Sequence, residues 1–274
     1  MNILFSCIGK RGYLADFIRP HLGPSGRIIG TSNTRWTPGF SSCDKAFTLP
    51  DIRTPEYLPS LLSVCEQERV NGLLSLFDLD VDLLSRNLDA FRKLGVVPIV
   101  SSADVSQISF DKWRTYLFLK EQDFEAPTTF ISLDQAKEAL SRGVLAFPLV
   151  VKPRYGYGTR HTFFAHTIDQ LDAFFHYGPD MIVQEAISGS EYNLDICLDL
   201  DGQVLSVVTE RKLKRQGGET EQAETVREPR LMETGMRLGR TLGRMGHVGP
   251  LDVDVFLDDG RALVLELNPR FGGM

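Results

Sequence analysis

The sequence predicts an α/β protein that opens with a parallel, doubly wound sheet and closes on an acidic β-hairpin. Two observations carry this. Over the first hundred residues, short apolar runs alternate with stretches of helical period, the pattern of strand–helix–strand units on a parallel sheet. Near the end, LDVDVFLDDGRALVLELNPRFGG reads as two strands joined at Asp258-Asp259-Gly260, where Asp-Gly favours a tight hairpin turn. The length of 274 residues exceeds one average domain, so two or three packed units are expected.

Taken in order, Asn2 to Ile8 is an apolar strand, Gly9 to Gly12 a turn, and Leu14, Phe17 and Ile18 begin a helix. Strands follow at Arg27 to Thr31, Gly72 to Leu76 and Val96 to Val100, with helices at Pro55 to Glu68 and Val81 to Leu94 between them. The turn CIGKRG holds only Gly9 and Gly12, short of the three-glycine dinucleotide fingerprint. Asp78 and Asp80 sit where parallel sheets place ligands, and equally where a helix takes its N-cap. The N-cap is the favoured role.

Residues 101 to 110 are polar and lead into a helix from Asp111 to Glu121. Lys112 at its start is unfavourable for the helix dipole unless an anion is present, so it marks either a phosphate or an exposed lysine. A strand at Thr128 to Ile131 and a helix at Leu133 to Arg142 precede FPLVVKPRYGYGT, where Lys152 leaves a strand just before Gly156, Gly158 and Thr159. A lysine on a rigid strand beside a glycine loop suits a phosphate chain. The lysine precedes the glycines, so this is no Walker loop. A plain hairpin is the alternative, since Thr162 to Ala165 reads as a return strand.

Met181 to Gln184 is a strand, followed by the linker Glu185-Ala186-Ile187 and a strand at Tyr192 to Leu198. Backbone groups of such a linker can read an adenine edge, and Glu191 can accept from ribose hydroxyls; alone, these are ordinary surface glutamates. Val204 to Glu210 is a strand, and RKLKRQGGET over Arg211 to Thr220 reads as a basic glycine loop, a hypothetical collector of an acidic substrate. Pro229 to Met245 is a helix with Leu231, Met236, Leu238 and Leu242 as its apolar stripe and Gly235 and Gly239 allowing close packing.

In the closing hairpin, Asp252 and Asp254 share one strand face, and Glu266 and Asn268 share a face opposite Leu263, Leu265 and Leu267. If the faces match, Asp254, Glu266 and Asn268 supply three oxygen donors, a set that suits Mg²⁺. Arg270 stands two residues on, placed to hold an anion. A solvated strand face is the alternative.

Composition narrows the class. Hydrophobic content of 42% and charged content of 24% are those of an ordinary globular protein, and a net charge of −6 gives no global reason to expect nucleic acid or a membrane surface. Cys7, Cys43, Cys65 and Cys197 lack paired metal spacing and read as reduced thiols. The N-terminal apolar run precedes its basic residues, the reverse of a signal peptide, and no segment approaches the ~20 apolar residues of a membrane span. A cytoplasmic location is expected.

The order of these signals resembles the ATP-grasp superfamily, most closely its carbamoyl-phosphate synthetase large-subunit-like branch. The signals are Lys112 after Asp111, Lys152 before a glycine loop, Gln184-Glu185-Ala186-Ile187 leading to Glu191, and Glu266-Leu267-Asn268-Pro269-Arg270. The resemblance implies a Rossmann-like domain over 1–105, a small lobe with a phosphate flap over 106–180, and a C-terminal lobe with the metal site over 181–274. It implies that Lys112 and Lys152 contact ATP phosphates, with Gly156, Gly158 and Thr159 in the flap. Glu185, Ala186 and Ile187 become the adenine hinge, Glu191 the ribose ligand, and Asp254, Glu266 and Asn268 the ligands of Mg²⁺, with Mn²⁺ as the alternative ion. Lys152 and Arg270 become the catalytic cations.

The implied reaction is phosphorylation of a carboxylate by ATP to an acyl phosphate, which an amine attacks with release of ADP and phosphate. A carbamoyl-phosphate synthase-like enzyme and a non-catalytic ATP-binding module are the alternatives. The implied partners are ATP, a small carboxylate, an amine and a second copy in a homodimer. Two departures stand out: Tyr155, Tyr157 and Arg160 occupy a flap that is usually small-residued, and the chain ends at Gly272-Gly273-Met274, where relatives continue. The sequence therefore reads as truncated at its C-terminus.

Overall fold

The computed structural model describes residues 1–156, 161–216 and 219–272. In the first third, β1 (Asn2–Ser6), α1 (Gly12–Ile18), β2 (Arg27–Ser32), β3 (Lys45–Thr48), α2 (Tyr57–Gln67) and β4 (Gly72–Ser75) lead to α3 (Asp78–Ser85), α4 (Leu88–Lys93) and β5 (Val97–Ile99). The five strands form a parallel sheet in the order β3-β2-β1-β4-β5. Leu4, Ile29 and Leu73 face one core with Leu61 and Phe91, while Ile3, Phe5 and Ile28 face another with Leu14 and Ala15. Both faces are covered, which is why these strands read as continuous apolar runs.

Three local features depart from the sequence reading, the first being the edge strand β3, which is not among the four expected strands. The helix expected over Val81 to Leu94 is two helices, α3 and α4, interrupted at Arg86 and Asn87. Neither Asp78 nor Asp80 caps α3, because Phe77 holds the N-cap position. Asp80 is instead fully buried and accepts from Tyr57 Oη and Ser75 Oγ, each at 2.7 Å. Burial pushes its pKa up against these bonds.

The polar stretch before Asp111 is helical: α5 (Ala103–Phe110) begins under a cap from Ser102 and runs into α6 (Lys112–Glu121). Then come β6 (Thr129–Phe130), α7 (Leu133–Ser141), β7 (Leu149–Pro153), β8 (Phe163–Ala165), α8 (Ile168–Phe175) and β9 (Met181–Glu185). Their antiparallel sheet has the order β6-β9-β7-β8 and packs Leu149, Val151 and Val183 against Ala136, Ala139 and Leu171. The return strand expected after the flap is β8.

The last sheet joins β10 (Ser190–Leu198), β11 (Val204–Gln216), β12 (Glu219–Val226), β13 (Gly249–Asp258) and β14 (Arg261–Asn268) in the order β12-β11-β10-β13-β14. The expected basic loop over Arg211 to Thr220 is corrected here. Its described residues belong to the paired strands β11 and β12, where Arg211 meets Glu224 and Lys214 meets Glu221 at 2.5 Å. Cross-strand ion pairing turns a run of cations into a strand.

Helix α9 (Pro229–Arg244) covers the apolar face of this sheet. Its buried stripe is Leu231, Gly235, Leu238, Gly239 and Leu242; Met236 lies off it. A Cβ at Gly235 would meet Val207 at 2.7 Å and one at Gly239 would meet Val204 at 2.6 Å, so glycine is what lets the helix approach. Val105 of α5 and Phe118 and Leu119 of α6 join the same core. No helix among the described residues is long and apolar enough to cross a membrane.

Candidate functional site

A cavity of about 920 Å³ lies where the three sheets meet, lined by Lys112, Lys152, Glu185, Glu191, Glu266 and Arg270 among others. Register explains its acidic floor. On β13 and β14, Asp254 pairs with Glu266 and Asp252 with Asn268, so these side chains share a face as expected, but a bulge between Asp254 and Val255 breaks the alternation beyond them and puts Val264 in the core with Leu267. Asn268 Nδ2 donates to Asp254 Oδ2 and Asp252 Oδ2, both at 3.3 Å.

The roof comes from the small sheet. Lys152 leaves β7 nearly buried, with Nζ 3.2 Å from Glu266 Oε1. Lys112, the first residue of α6, places its Nζ 3.8 Å from the same oxygen and donates to the Gly156 carbonyl at 2.8 Å. Burial opposes the charge on Glu266, but the ammonium groups of Lys112 and then Lys152 outweigh it and hold its pKa low. For Lys152, burial and Lys112 lower the pKa against the pull of Glu266. Two lysines on one carboxylate leave a surplus of positive charge, which is what an anionic ligand requires.

The flap's base is clamped separately. Asp111 caps α6 through Trp113 N (3.0 Å) and Arg114 N (3.3 Å), and Arg154 donates to both its oxygens, Nε at 2.7 Å and Nη2 at 2.5 Å. Gly156 lines the cavity; Gly158 and Thr159 lie outside the described residues. Strand β9 passes from the small sheet into β10 of the large one through Glu185, Ala186 and Ile187, and Glu185 and Ile187 line the cavity. Glu185 is held across the small sheet, its carboxylate accepting from Thr128 N at 3.1 Å.

Glu191 accepts from Lys212 at 2.8 Å and from Arg215 at 2.9 Å. Lys212, on the stretch read as a loop, also donates to Asp254 and is nearly buried, with 5% side-chain exposure. Burial alone would lower its pKa, but the Asp254 and Glu191 carboxylates outweigh burial and hold it above the ordinary lysine value. Sequence reasoning missed Lys212 because its run of cations resembles solvated surface. Its parity with Glu210, which β10 sets against Asn193, becomes informative only once the run is known to be a strand.

Arg270 closes the far end, donating to both Asp78 oxygens (2.7 and 3.2 Å) and to Asp252 Oδ2 at 3.4 Å. Asp78 stands at the ligand end of a parallel strand, as its place in the sequence suggests, but nothing in the sequence points to Arg270 as its partner. The oxygen set Asp254, Glu266 and Asn268 fits a hard divalent ion, and buried Asp252 Oδ1 beside it lacks a hydrogen-bond partner. Among the described residues, however, no three His, Cys, Asp or Glu converge as a ready-made metal cluster; lysines stand against Glu266 and Asp254.

Fold and site define a class. Residues 109–274 match the ATP-grasp domain family, and the chain belongs to it. Residues 3–100 match the PylC-like N-terminal domain. The arginine-specific carbamoyl phosphate synthase large chain of Geobacillus stearothermophilus is 24% identical over 225 residues, 79% of this chain. The chain spans only 21% of that relative's length. Among solved structures, the biotin carboxylase domain of 2-oxoglutarate carboxylase from Hydrogenobacter thermophilus has a TM-score of 0.76 at 15% identity, covering 98% of this chain and 64% of that one. The L-amino acid ligase of Bacillus licheniformis has a TM-score of 0.73 at 20% identity, covering 99% and 67%. The Rossmann-like domain followed by a two-lobed grasp, expected from the sequence, is the observed fold, and ATP and Mg²⁺ are the cofactors of its class.

Proposed function

We propose that this chain is an ATP- and Mg-dependent ligase of carboxylate–amine type. The observation that carries the reading is the convergence of Lys112 and Lys152 on Glu266, beside Asp254 and Asn268, in one cavity. Neutral chemistry has no use for so many opposed charges, whereas a nucleotide polyphosphate with its cation replaces both halves of each pair.

In this reading Lys112 and Lys152 take the phosphates, with Gly156 beside them. Glu185, Ala186 and Ile187 present the adenine edge, and Glu191 takes the ribose. Asp254, Glu266 and Asn268 would hold Mg²⁺ or Mn²⁺, which supplies charge neutralisation for the transferred phosphoryl group. Arg270 holds the substrate carboxylate, whose oxygen attacks the γ-phosphorus as the bond to ADP breaks. The amine then attacks the acyl carbon; the C–N bond forms, the C–O bond to phosphate breaks, and the amine gives up its proton. A module that only stored nucleotide would not need Arg270 at the cavity's far end.

We further propose three units, 1–105, 106–180 and 181–274, with α5 and α6 at the head of the second lying against the sheet of the third. The four cysteines are unpaired, which supports a reducing, cytoplasmic setting. Calorimetric titration with a non-hydrolysable ATP analogue, with and without Mg²⁺, tests the ligase reading. Binding that needs Mg²⁺ and weakens in Glu266→Gln is the expected result, followed by ADP release with a carboxylate–amine pair. Binding indifferent to both the ion and the substitution overturns it.

A further inference from the structure

The sheet face that carries Asp254 and Glu266 carries a second row of polar groups one repeat away. Register places Asp195, Asp252 and Asn268 side by side across β10, β13 and β14. Asp252 is only 5% exposed. Its Oδ2 accepts from Asn268 and Arg270, but its Oδ1 is buried without a hydrogen-bond partner among the described residues. Asn193 Oδ1 and Glu210 Oε2, on the same face, are in the same condition. A buried acceptor left without a donor is costly, and more so when charged. Three together mark a place that expects a donor-rich group.

Gly272 shows where that group fits. A Cβ on this residue would stand 3.4 Å from Asp252 Oδ1 and 3.6 Å from Asp195 Oδ1. One oxygen from each carboxylate thus converges beside Gly272, and Asp252 and Asn193 line the main cavity. The occupant must be cationic, compact and rich in N–H donors. A primary ammonium meets all three conditions. A metal ion fits less well, because Arg270 already engages the other oxygen of Asp252 and no three metal-ligating side chains gather among the described residues.

We propose that Asp195 and Asp252, facing Gly272, form the subsite that receives the ammonium group of the amine substrate. The inference rests on the ligase reading and adds the location and charge state of its second substrate. Arg270 borders the subsite, so the acyl carbon held there and the nitrogen share one end of the cavity; the ammonium passes one proton to Asp195 or Asp252 to free its lone pair and loses the second as the C–N bond forms and the C–O bond to phosphate breaks.

The test titrates the MgADP-loaded full chain with propylammonium chloride, with propanol as the neutral analogue and tetramethylammonium as the cation without N–H groups. Propylammonium alone binds, and Asp195→Asn and Gly272→Ala each weaken it about tenfold or more, with MgADP affinity kept within about twofold. Gly272→Ala retains every carboxylate, so it reads the space itself even where Asp195→Asn disturbs the fold. Equal binding of tetramethylammonium, unchanged affinity in both variants, or no amine binding to the MgADP-loaded chain overturns the proposal. Loss of a bound Mn²⁺ in Asp195→Asn, read by electron paramagnetic resonance, overturns it in favour of a metal. Failure of the unaltered chain to bind MgADP instead removes the ligase reading on which it rests.

Discussion

Arg270 and Asp78 form a two-point ion pair, Nε to Oδ1 at 2.7 Å and Nη2 to Oδ2 at 3.2 Å, between residues 192 positions apart. The pair ties the end of the closing hairpin to the first turn of α3, and neither side chain is more than 15% exposed. Burial disfavours the guanidinium charge, but Asp78 and Asp252 reverse the effect and raise the Arg270 pKa. Removing one partner of a buried pair leaves the other uncompensated. Asp78→Ala is therefore expected to destabilise the fold by about 3–5 kcal/mol in urea denaturation. Having lost its anchor, Arg270 should also hold the carboxylate substrate less well, raising KM while the MgATP dissociation constant stays put. A variant as stable as the parent would show that the pair carries no structural load.

Lys152 and Lys112 share Glu266, but only Lys152 is held on a strand. Lys152→Met should lower affinity for the non-hydrolysable ATP analogue about 10–100-fold, the size of a lost charge-assisted bond to phosphate. Lys112 remains to pair Glu266, so stability should fall less than in Asp78→Ala. Calorimetry and urea denaturation read the two effects separately. Unchanged nucleotide affinity would remove Lys152 from the phosphate site.

Local pattern and long-range pairing were not equally legible. Alternation on the closing strands placed Asp254, Glu266 and Asn268 on one face, because side-chain direction in a strand follows from parity alone. Lys112 and Lys152 were visible because each is a cation at the edge of a recognisable element. Arg215 and Lys212 on Glu191 were not, since the hydrophilic run Arg211 to Thr220 lacks the apolar alternation that marks a half-buried strand. The break at Arg86 and Asn87 between α3 and α4 was hidden for the opposite reason: apolar residues continue on both sides, so the period reads through. Asp78 as the partner of Arg270 follows only from how the N-terminal domain docks.

Gly243 gives a packing test independent of any ligand. A Cβ there would come within 2.1 Å of the Gly202 carbonyl oxygen, backbone that cannot swing aside, and 3.0 Å from Leu198. Gly178 has only Met181 Sδ, at 4.0 Å, in the same position. Gly243→Ala should cost about 1–3 kcal/mol as α9 is forced off the β10–β11 turn, while Gly178→Ala stays within about 0.5 kcal/mol. Thermal unfolding of the two variants side by side checks this, and equal midpoints would mean that α9 has room to move.

His247 makes stability depend on pH, with a definite sign. The ring is fully buried just after α9, with Nδ1 2.5 Å from Ser101 Oγ and Nε2 without a partner among the described residues. Burial pushes its pKa down to about 4. In the unfolded chain the ordinary value is about 6.5, so between these values the unfolded state binds a proton that the folded state refuses. Stability from this group is therefore complete above about pH 7 and is lost as pH falls toward 4, by about 3 kcal/mol in all at ~1.4 kcal/mol per pKa unit. Carboxylates titrate in the same range, but they do so equally in a His247→Gln variant. The difference between the two proteins in urea, measured at about pH 7.5 and about pH 4.5, isolates the ring. The parent should lose more stability than the variant on acidification; parallel losses would mean that His247 takes up its proton as readily folded as unfolded.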